Sequence, residues 1–113
     1  MPITNPTILE HHFLAEMFDS SYYPDSVVKQ GENILLALCA QIEATLPHDL
    51  DALYVLTHAA TERFNDLAGA FDEQDSDIDT VARECISVDM LFIAQAYGFA
   101  DADIEALTSP RDW

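Results

Sequence analysis

The chain has 113 residues, half of them hydrophobic, with only three glycines and five prolines, and its 21 acidic and four basic side chains leave a formal net charge of −17. Four cations cannot neutralise a run of phosphates, so neither direct nucleic-acid binding nor attachment to an anionic membrane surface is expected. The composition fits one packed helical domain over residues 1–113, long enough to bury roughly 65% of its unfolded surface without staples.

The N-terminal stretch MPITNPTILEHH lacks the basic start and apolar run of a signal peptide, and no apolar stretch approaches membrane-spanning length. A cytoplasmic protein is expected. Cys39 and Cys85 fall on predicted inward helix faces and form no Cys-x-x-Cys pair. They read as reduced core residues.

In chain order, a first helix is predicted from Thr7 to about Phe18, with Ile8, Leu9, Phe13 and Met17 on one side. The segment DSSYYPD reads as a loop, with Tyr22 and Tyr23 pinning it by their rings while their hydroxyls stay near water. A second helix runs from about Ser26 to Leu46, its stripe being Val27, Ile34, Leu35, Leu38, Ile42 and Leu46. Gly31 lies within that stripe, where Gly costs about 1 kcal/mol relative to Ala, so a neighbouring helix or ring is expected close to its backbone. Pro47 ends the helix, and the short PHD connection implies an antiparallel neighbour.

The third helix, capped by Asp49, has the cleanest pattern: Leu50, Leu53, Thr57, Ala60, Phe64, Leu67 and Phe71 alternate steps of three and four. The acidic stretch DEQDSDID breaks it, and Ser76 with Asp79 resembles a capping box for a fourth helix. That helix buries Ile78, Val81, Ala82, Cys85, Ile86, Phe92, Ile93 and Ala96 and stops at Gly98, with Phe99 placed for the accompanying contact. A short fifth helix from about Ala102 to Leu107, capped by Asp101, precedes the tail RDW. The fold class is therefore all-α, an antiparallel four-helix bundle with a short fifth helix packed across one end, and Trp113 holding the tail.

The stretch LTHAATERFNDL places His58 and Glu62 one helical turn apart, and His12 and Glu16 repeat the spacing. A His and a carboxylate so spaced can share a metal ion, yet the Glu-x-x-His pairs of carboxylate-bridged iron bundles are missing and acids are abundant everywhere. The solvated side of a helix explains these pairs, and neither a metal site nor a cofactor is expected. DEQDSDIDTVARE fails as a calcium loop, because Thr80 stands where the loop needs Gly and Ile86 where it needs Glu. Asp89 falls on the inward stripe of the fourth helix, where an unpaired carboxylate is costly, and Arg63 is its expected ion-pair partner. The alternative makes Asp89 an acid or base in a pocket. Arg83 is matched locally to Asp79. No nucleophile elbow or phosphate-cradling glycine loop is present.

The strings YYPD (residues 22–25), LTHAATERFNDL (56–67), AREC (82–85), AYGFADADIEAL (96–107) and the terminal RDW resemble a small bacterial family of uncharacterised helical proteins. The resemblance runs from about Tyr22 onward and implies a compact all-α domain with no catalytic residue to transfer. The leading expectation is a non-enzymatic protein–protein interaction module, acting through homodimerisation or on a basic partner. The alternatives are a metal-binding or hydrolytic bundle using His12, Glu16, His58, Glu62 or Asp89, and an acidic imitation of nucleic acid.

Overall fold

The computed structural model describes residues 3–113; Met1 and Pro2, the first residues of the stretch read for a signal peptide, lie outside the described residues. Six helices follow one another: α1 (Pro6–Glu10), α2 (Ala15–Asp19), α3 (Asp25–Thr45), α4 (Leu50–Asp72), α5 (Thr80–Ala96) and α6 (Ile104–Leu107). No strand occurs among the described residues. The expected all-α bundle is therefore present, and no helix is long and apolar enough to cross a membrane among those residues.

α3 and α4 form the most extensive pairing. They are antiparallel, since Gln30 and Asn33 share a hollow with Asp66 and Ala70 while Gln41 shares one with Leu56. Asp49 caps α4 by accepting the Ala52 N–H at 2.8 Å, as its position predicted. The α4 stripe from Leu53 to Phe71 is buried in full. Gly31 explains itself: a Cβ there would stand 3.0 Å from Leu14 Cδ1 and 3.1 Å from Phe64 Cε1. The close ring and the close neighbouring segment are both present.

The predicted first helix is instead two short ones, broken at Leu14, whose φ of 56° is left-handed. On a straight helix Ile8 and Met17 would point about 180° apart at 3.6 residues per turn. The break lets Ile8, Phe13, Leu14 and Met17 all enter the core, each about 1% exposed. α1 packs on α5, and α2 packs on both α3 and α5, so the broken segment occupies the fourth position of the bundle. Leu9, expected inside, is exposed because Ile8 takes the inward place on α1.

Three further boundaries differ from expectation. Leu46 is the left-handed residue that ends α3, so its side chain swings outward and is 75% exposed. Asp79 alone caps α5, accepting the Ala82 N–H, while Ser76 is buried and its N–H closes the end of α4 onto the Phe71 carbonyl. Val81, in the first turn of α5, is exposed beside the buried Ala82. Asp103 rather than Asp101 caps α6. Gly98 ends α5 with φ 91°, and the Phe99 N–H returns to the Ala94 carbonyl, a left-handed helix stop.

The fifth helix does not lie across one end. α6 and the tail run lengthwise along α4 and against α5. Asp103 meets Tyr54, the Ala106 carbonyl meets His58, the Leu107 carbonyl meets Thr61, and Asn65 bonds both Pro110 and Asp112. Trp113 then sets its ring edge-on to Phe64, with centroids 6.3 Å apart. Arg83 donates to the Trp113 carbonyl at 3.1 Å instead of pairing with Asp79.

Candidate functional site

The break at Leu14 and the buried face of α5 meet at Asp89, which is 7% exposed. A carboxylate so enclosed requires donors for both oxygens. His11 Nε2–H donates to Oδ1 at 2.9 Å, and the Leu14 backbone N–H donates to Oδ2 at 2.7 Å. The imidazole lies flat on Phe92, centroids 4.0 Å apart, with the edge of Phe13 against it at 4.6 Å. His11 Nδ1 has no hydrogen-bond partner among the described residues. The result is an oriented Asp–His dyad in a cleft of about 320 Å³ that His12, Glu16, Glu84 and Cys85 also line.

Such a dyad can hold or move a proton, but the thiol that shares its cleft, Cys85, is not an activated nucleophile. Burial first, then the nearby Asp89 charge, pushes the Cys85 thiol up to about 11, so it stays protonated at neutral pH. Burial likewise pushes the fully enclosed Cys39 up to about 12. Cys85 is only half-buried, less enclosed than the predicted inward position implied.

The expected Arg63–Asp89 ion pair does not form. Asp89 faces the α1–α2 corner, whereas Arg63 is exposed beside Ile34 and Leu38 on the outer side of the α3–α4 seam. Sequence reasoning found the demand for a partner at Asp89 but not His11 as its source. No Gly or Pro in HHFLA marks the break that brings His11 there.

His12 and Glu16 do line one cleft, but they stand on either side of the Leu14 break and so are not one helical turn apart. His12 stacks on Phe18, centroids 5.7 Å apart. His58 is engaged elsewhere: its Nε2–H donates to the Ala106 carbonyl at 2.7 Å, with Ser109 Oγ 3.2 Å away and the Tyr54 ring parallel to the imidazole. Glu62 is exposed. Among the described residues, no three His, Cys, Asp or Glu side chains stand together as a metal-holding group.

A second carboxylate that the sequence left unremarked ties down the N-terminal segment. Glu43 of α3 accepts from Thr4 N–H and Thr4 Oγ1, both at 2.9 Å, from the Asn5 N–H at 3.2 Å and from the Tyr97 hydroxyl. The Tyr97 hydroxyl first, then the Thr4 N–H, holds this carboxyl down at about 2. Burial and the Glu43 bond raise the Tyr97 phenol in turn. Beside them lies an open groove of about 770 Å³ walled by Pro6, Ile42, Leu46, Pro47 and Phe99. Tyr22 and Tyr23 likewise bond carboxylates, at Asp77 and Asp79, and so tie the α2–α3 turn to the α4–α5 loop.

The surface charge is unevenly balanced. All the acids except Glu32, Glu43, Asp79 and Asp89 are exposed. Three of the four cations already have partners within the chain: Lys29 with Glu32, Arg83 with the Trp113 carbonyl, and Arg111 with Thr108 and Glu105.

No curated protein and no solved structure matches the chain. A family model described as a family of unknown function (DUF5713) matches residues 7–113, which takes in every string on which the resemblance was based. The two carboxylate staples of the N-terminal segment, the α3–α4 hairpin and the docked tail are thus the framework of a member of that family, to which this chain belongs.

Proposed function

We propose that the protein is a non-enzymatic interaction module that binds a basic protein partner through its acidic surface. The observation that carries this reading is the uncompensated charge: nearly every acid faces solvent, while three of the four cations are engaged internally. Such a surface produces a negative field that accelerates encounter with a basic patch and discriminates against acidic partners. Imitation of nucleic acid is the special case in which that partner is itself a nucleic-acid-binding protein. A pull-down at low and high salt tests the reading. The expected result is a basic partner retained at low salt, released at high salt and displaced by a polyanion such as heparin. Retention of no basic protein at low salt would refute it.

A second reading is favoured by the His11–Asp89 dyad, which supports an acid–base site in the α1–α2 cleft. Hydrolysis of activated esters above the buffer background, abolished in His11→Gln with the fold intact, is its expected signature. Equal rates for the two proteins would remove it.

A further inference from the structure

We propose that the outer face of the α3–α4 hairpin is the surface through which two copies of this chain associate. In a chain with 21 acidic residues, residues 33–42 of α3 and 52–61 of α4 contain no Asp, Glu, Lys or Arg. The antiparallel pairing brings these two stretches side by side. Two hollows of about 390 and 410 Å³ run along their seam and share Ile34 and Arg63. Ala37 and Ala59 are exposed on it, and small side chains allow another helix to approach closely.

Charge selects the occupant. Two copies meeting through the acid-bearing faces would press acid against acid, and like charges brought together across an interface are strongly unfavourable. The hairpin face removes that penalty. It also supplies the attraction: Arg63 makes no ion pair among the described residues, and Asp66, three residues on, lines the same hollow. A two-fold contact with α4 antiparallel to its copy sets each Arg63 against the Asp66 of the other chain, a self-complementary pair. A basic partner gains little here, because Asp66 is the only acid lining these hollows.

Salt separates this inference from the basic-partner reading, on which it does not depend. Association of two chains of net charge −17 is opposed by long-range repulsion, so added salt strengthens it, whereas binding to a basic partner weakens with salt. Light scattering and sedimentation of the full chain, over about a hundredfold range of concentration at low and high salt, read it out. The expected result is a reversible dimer favoured by salt. Ala59→Glu and Gln41→Glu, both at exposed helix positions, weaken it by about tenfold or more, since each places a new acid against the acidic copy. Arg63→Glu weakens it too, and the exchange Arg63→Asp with Asp66→Arg restores it. Far-UV circular dichroism of each variant confirms the fold, and either Glu variant suffices if the other does not fold. A chain that is monomeric under all these conditions overturns the inference, and so does a dimer indifferent to the folded Glu variants.

Discussion

Asp89 holds His11 with one carboxylate oxygen and the Leu14 N–H with the other, and this pair of hydrogen bonds ties the break in the N-terminal segment to α5. Asp89→Ala leaves the Leu14 N–H enclosed without an acceptor and removes a charge-assisted bond. Chemical denaturation is expected to give a loss of about 3 kcal/mol, against about 1 kcal/mol for His11→Ala, where the carboxylate keeps its backbone donor. Equal losses would mean that the imidazole, not the Leu14 amide, is the main tie.

Glu43 supplies the pH dependence of the same segment. Its folded-state carboxyl lies near 2, below the ordinary value of 4.5. The unfolded chain therefore takes up this proton first, so the contribution of Glu43 is complete above about 4.5 and is lost as pH falls towards 2. The difference in stability between the native chain and Glu43→Gln should be constant at neutral pH and shrink across that interval. Subtracting the variant removes the background from the many other acids. A difference that stays flat down to pH 2 would contradict the bonding seen at Thr4, Asn5 and Tyr97.

The same substitution should act oppositely at two glycines. At Gly69, exposed within α4, an added Cβ meets nothing within 4 Å, so Gly69→Ala should stabilise by about 0.5–1 kcal/mol. At Gly31 the Cβ would press on Leu14 and Phe64, both almost fully buried. Leu14 is anchored through its own N–H, so crowding outweighs helix propensity, and Gly31→Ala should destabilise by about 1 kcal/mol. Thermal unfolding of the two variants tests both signs.

The lone tryptophan reports on tail docking. Trp113 packs against Phe64, so its fluorescence should be blue-shifted in the native protein. His58→Ala and Asn65→Ala each remove bonds to residues 106–112, and each should cost about 1–2 kcal/mol and shift emission to the red while helical content stays near native. Unchanged emission in both variants would show that the aromatic contact holds the tail without them.

Two of the strings that carry the family resemblance, LTHAATERFNDL and AREC, converge in this docking. His58, Thr61, Phe64 and Asn65 come from one string, Arg83 from a second, and they converge on the chain between Ala106 and Trp113. A His–Glu spacing on a helix is compatible with a ligand pair. The tertiary structure turns His58 to a backbone carbonyl and leaves Glu62 in solvent.

The helical class, the antiparallel α3–α4 hairpin, the Asp49 cap, the buried stripe of α4 and the need for a close neighbour at Gly31 were legible in the residues alone. Each depends on side-chain periodicity, a short connection, a glycine set in an apolar stripe or a bond spanning only a few residues, all of which local sequence determines. The break at Leu14, the donors of Asp89, the four donors of Glu43 and the lengthwise path of the tail were not legible. Each arises from groups dozens of residues apart in the chain, and only packing decides which of many available donors reaches a given carboxylate. Composition determined how much negative charge this protein carries. The tertiary structure decided that the α3–α4 face would be nearly free of it, because pairing those two helices aligns their two uncharged stretches.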